Sequence, residues 1–126
     1  MTRKEQLNRL FIEYNLDVED TFKHPHYQII TRSGIDKIQA NLNIKIEYDL
    51  KHYNPERKTC VIKAVGQLND VIIETYGEAS PDNNRNAYPV AIAEKRAMSR
   101  VVLKLSGLYS LGVFGEDESD NFERKQ

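Results

Sequence analysis

The chain has 126 residues, 40% hydrophobic and 29% charged, with a formal net charge of −1, which is enough for one domain with its own core. No run approaches the ~18 apolar residues of a membrane-spanning helix, and Met1-Thr2-Arg3-Lys4-Glu5-Gln6 lacks the apolar stretch of a secretory signal, so a cytoplasmic protein is expected. Cys60 is the one cysteine, which excludes an intrachain disulfide and a cysteine-based zinc site.

Residues 5–16 place Leu7, Leu10, Phe11 and Tyr14 at three- and four-residue spacing, the pattern of an amphipathic helix. His24-Pro25-His26 interrupts what precedes it, because proline disfavours helical geometry in the residue before it. With Ser33 or Thr31 as N-cap, a short helix follows that carries Ile35, Ile38 and Leu42 on one face. From Ile44 the period becomes two: Ile44, Ile46 and Tyr48 alternate with Lys45, Glu47 and Asp49, as in a half-buried strand. Turns at Tyr53-Asn54-Pro55-Glu56-Arg57 and Asn69-Asp70 set off a second strand over about 59–68 and a third over 71–78.

Residues 79–87 read as a polar loop, and Pro89 suits the first turn of the helix that follows. That helix spans about 88–105 and stops at Gly107, with Ala93, Ala97, Val101 and Leu105 as a narrow apolar stripe. The small alanines would let its backbone lie close to the sheet. The expected fold class is α+β: N-terminal helices, an antiparallel three-stranded β-meander, and a long helix packed on the sheet. Residues 1–115 form the expected domain. Residues 116–126, with five acids against Arg124 and Lys125, form a flexible acidic tail.

The residues offer little for covalent chemistry. His24 and His26 lie in a proline-containing turn without a carboxylate pair, and His52 stands apart, so neither a metal nor a cofactor is expected. Cys60 sits in a strand as a small hydrophobe. No phosphate-binding glycine loop is present. A metal-dependent nuclease would need a carboxylate cluster from Glu47, Asp49, Glu74 and Glu78, and a solvated sheet face explains those residues more simply. The chain is therefore read as a non-enzyme.

The stronger pattern is charge. Between positions 85 and 104, Arg85, Lys95, Arg96, Arg100 and Lys104 stand against Glu94 alone. Arg96, Arg100 and Lys104 recur every four residues, a row with ~6 Å steps that can follow a phosphate backbone. A solvated polar face is the plainer account of such a row. The loop before it adds Tyr76, Tyr88 and Arg85, and aromatics beside cations suit single-stranded nucleic acid.

Two runs carry a resemblance: Gly77-Glu78-Ala79-Ser80, and, after a polar loop, Tyr88-Pro89-Val90-Ala91-Ile92-Ala93-Glu94-Lys95-Arg96-Ala97 continuing through Arg100 and Lys104 to Gly107-Leu108. With Thr31-Arg32-Ser33-Gly34-Ile35-Asp36-Lys37 upstream, this resembles the phage Sak-type single-strand annealing proteins, relatives of the eukaryotic annealing recombination mediator, over about residues 29–120. The resemblance implies a β-β-β-α core, assembly into homo-oligomeric rings or arcs, and single-stranded DNA in a basic groove. It also implies a role in DNA recombination and repair, alongside a replication or single-strand-binding protein. Arg100 and Lys104, before Gly107, match the family's backbone-contacting basics, with Arg96, Lys95, Arg85 and Tyr88 as further candidates. The slightly negative net charge departs from a strong DNA binder. The alternative is an accessory or structural protein that uses the same fold to bind a protein partner. The apolar residues Leu108, Tyr109, Leu111, Val113 and Phe114 are expected to supply part of a subunit contact.

Overall fold

The amphipathic opening becomes α1, Arg3–Glu13, in the computed structural model of the chain, which describes residues 1–22, 24–84 and 87–118. Thr2 caps α1 by accepting from the Glu5 amide, and Leu7 and Leu10 point inward. Helix α2, Arg32–Leu42, is capped by Thr31, which accepts from the Gly34 amide at 3.3 Å. The other N-cap candidate, Ser33, instead donates to Asp20. Ile35 and Ile38 are fully buried, and Asn43 ends the helix in the left-handed region.

The meander is β3 (Lys45–Asn54), β4 (Thr59–Leu68) and β5 (Val71–Ala79), paired antiparallel in that order. Its first turn is held by Asn54, whose side-chain oxygen accepts from the Glu56 and Arg57 amides; Asn69 takes a positive φ in the second. Helix α3, Pro89–Ser106, has proline in its first turn and stops at Gly107, where φ is +85°. The chain is α+β, as expected, with α3 lying on β4 and β5.

The alanine stripe makes that contact close. A Cβ on Gly77 would stand 1.9 Å from the Ala93 carbonyl oxygen and 2.5 Å from the Ala97 nitrogen, so strand and helix backbones nearly touch there. Gly66, Ala64, Ile62 and Cys60 of β4 face the same helix and are buried. A single helix is ~10 Å across and strands are ~4.8 Å apart, so one helix covers about two strands of the three. β3 is the strand left over: Ile46, Tyr48, Leu50 and Tyr53 lie opposite Gly66, Ala64, Ile62 and Cys60, on the helix side. Tyr48, Leu50 and Tyr53 are nevertheless 45%, 55% and 47% exposed.

A second, small sheet corrects the sequence reading. β1 (Thr21–Phe22) pairs antiparallel with β2 (Gln28–Ile30), and β2 pairs parallel with β6 (Val113–Gly115). Leu108 and Val113 are fully buried within the chain, and Tyr109 and Leu111 pack on the same core. Phe114 meets the rings of Tyr27 and Tyr109. These five residues were expected at a subunit contact; the fold uses them to close on itself. Tyr14 joins the end of α1 to the end of α3 by donating from its hydroxyl to the Ser106 carbonyl at 2.7 Å.

Candidate nucleic-acid interface

The basic row of α3 does not face solvent as a unit. Arg96 is fully buried. Its guanidinium donates to the carbonyls of Glu78, Asn83 and Asp117 and to the Asn83 side chain, at 2.7–2.9 Å. Arg100 donates to the Tyr76 carbonyl, forms a two-pronged pair with Glu78 at 2.8 Å, and meets Glu118. The four-residue spacing that suggested a phosphate track has another use. Four helix residues advance ~6 Å and two strand residues ~6.8 Å, so side chains at 96 and 100 reach successive outward carbonyls, of Glu78 and Tyr76, along the edge of β5. Two arginines thereby satisfy backbone groups that an edge strand otherwise leaves open.

The acidic segment completes the cluster. Its first three residues, Glu116–Glu118, form a 3₁₀ turn against α3. Glu118 is buried beside Arg100, the Asp117 carboxylate accepts from Ser99, and Glu116 accepts from the Arg32 amide in the first turn of α2 at 2.7 Å. These three residues thus belong to the folded unit rather than to a loose tail; residues 119–126 lie outside the described residues. Burial would push the Glu78 carboxyl up, but the Arg100 hydrogen bonds and charge outweigh it and hold it low. Burial pushes the Asp117 carboxyl up, against the Ser99 hydrogen bond and the Arg32 charge.

Of the remaining candidates, Lys95 and Lys104 are exposed. They are nine residues apart, two and a half turns, and so face opposite sides of α3. The Lys104 ammonium sits 5.2 Å from the centre of the Tyr109 ring. Tyr88 is 71% exposed at the start of α3. Arg85 lies outside the described residues. The row expected from the sequence is therefore divided, with two cations internal and two apart.

What the structure does bring together is a groove beside the uncovered strand. Tyr53, Ala87, Tyr88, Pro89, Val90, Ala91 and Glu94 line it, with a volume of about 420 Å³, in the range of ligand sites. Tyr48 adjoins it: partial burial, and then the Glu94 carboxylate, push its phenol up. Arg57 and Lys58, exposed in the β3–β4 turn, follow Tyr53 closely in the chain. The alternation of β3 gave Tyr48; Tyr53, read as part of the turn, reaches the same face because a bulge between Leu50 and His52 shifts the register. That they stay uncovered follows from the width of one helix, which the sequence pattern does not express.

The strand carboxylates are dispersed: Asp49 pairs with Lys51, Glu74 with Lys63 and Glu78 with Arg100. Among the described residues no three His, Cys, Asp or Glu side chains are grouped to hold a metal, and no helix is long and apolar enough to cross a membrane. Compared with protein-family models, with curated proteins and with solved structures, the chain has no significant match.

Proposed function

We propose that the chain is a single-stranded DNA-binding protein of the strand-annealing type, acting in the cytoplasm as a homo-oligomer and without catalysis of its own. The observation that carries this reading is the row Tyr48, Leu50 and Tyr53 on the uncovered side of β3, continued by Tyr88 across the groove. Aromatic faces beside a cationic turn are what a single strand uses, since any base can stack and phosphates can pair with Arg57 and Lys58. The β-β-β-α unit, with Gly77 late in its third strand against Ala93 and Ala97, is the core that the resemblance implies. The contact surface moves from the arginine row to the tyrosine groove.

A fluorescent oligonucleotide, titrated as single strand and as duplex over a range of salt, tests it. Single strands should bind more tightly than duplex. Replacing Tyr53 or Tyr88 with Ala should each cost about 1–3 kcal/mol of stacking. Replacing Arg57 and Lys58 together should flatten the salt slope by about one to one and a half units, at ~0.7 per phosphate contact. Complementary strands should anneal faster with the protein present. Failure of single strands to bind at any salt would end the proposal. The second reading, an accessory module for a protein partner, is favoured by Glu94, a carboxylate in the groove that would repel phosphates.

A further inference from the structure

Glu94 needs an explanation within the groove. It is exposed on α3, one turn beyond Val90 and Ala91, and its carboxylate makes no ion pair or hydrogen bond with any described residue. It stands on the wall that Tyr53 and Tyr88 share. A carboxylate there is unsuited to the backbone of a nucleic acid and well suited to the edge of a base. It has two acceptor oxygens and no donor, so it matches an edge that presents two neighbouring donors. Guanine has that edge, with the ring N1–H beside the exocyclic amino group. Adenine and cytosine place an acceptor next to their amino group, and thymine flanks its one N–H with two carbonyls.

We infer that the groove is a base pocket selective for guanine: Tyr53 and Tyr88 take the ring by stacking, and Glu94 accepts from N1–H and the 2-amino group of the unpaired base until a complementary cytosine takes that edge. Phosphates stay outside, toward Arg57 and Lys58. The inference rests on the nucleic-acid reading above and adds to it a preference that stacking alone does not give, because every base has a π-face.

The test uses the full chain and four fluorescent oligothymidylates of equal length, with a central thymine, guanine, adenine or hypoxanthine. The guanine strand should bind about tenfold more tightly than the all-thymine strand, toward the low end of what a bidentate base contact discriminates. Hypoxanthine, which keeps N1–H and lacks the amino group, should fall between them. Glu94→Gln should bring the guanine-to-thymine ratio within twofold. Circular dichroism of that variant should match the parent, since Glu94 holds nothing in place. Equal binding of all four strands, or a Glu94→Gln variant that tightens them all alike, would overturn the inference and leave the binding reading standing; absence of binding to every strand would overturn both.

Discussion

Arg96 and Asp117 had opposite fates in the sequence reading. The arginine stood out as one of a charged row, but its direction depended on a strand edge twenty residues away in the chain. Asp117 was one of five tail acids, and its burial could not be read from a polar stretch. The structure joins them, because the Asp117 carbonyl accepts from the Arg96 guanidinium while its carboxyl is buried against Ser99. Burial holds that carboxyl above the ~3.9 of an unfolded aspartate. A raised acid contributes stability that is full below its unfolded pKa and is lost as pH rises through the folded value. At neutral pH the charged form is therefore a cost. Asp117→Asn keeps an acceptor for Ser99 and removes that charge, so its urea midpoint should exceed the parent's at pH 7, with the gap closing below about pH 3.5. Parity at pH 7 would show that Arg32 already neutralises the carboxylate.

Among the elements, the three helices and β3 were legible from their period, and β4 and β5 from the turns that bound them and their apolar and β-branched content. The Ala93–Ala97 stripe even indicated a close helix–sheet contact. Strands β1, β2 and β6 were not legible: two or three residues hold no period, and the parallel β2–β6 pair joins segments over eighty residues apart. Gly77 tests the close contact. A methyl group there meets backbone atoms of Ala93 and Ala97 that cannot rotate away, so Gly77→Ala should lose about 3 kcal/mol in chemical denaturation, the upper part of the overpacking range. Gly66→Ala meets the Val101 side chain instead, and should lose about 1 kcal/mol as that side chain shifts. Equal losses at the two positions would mean that α3 moves as a rigid rod.

Over the whole molecule, the acidic segment acts as a strap that holds α2, α3 and the β5 edge together. Ending the chain after Gly115 should therefore lower stability by about 2 kcal/mol, less than a fully broken buried pair because Glu78 stays on Arg100. An unchanged denaturation curve would make the strap an ornament of the fold. The two arginines on β5 have a further consequence for assembly. Because the Glu78 and Tyr76 carbonyls point outward from β5 and alternate residues pair across the sheet, the outward backbone groups of β3 belong to Ile46, Tyr48 and Leu50. A neighbouring copy can add to that side, while on the other it would have to displace both guanidinium groups. As a building tile the domain has one adhesive border and one sealed border, so two copies joined strand to strand close on a two-fold axis and stop. A ring or arc of many copies would have to be held by contacts other than a continuous sheet.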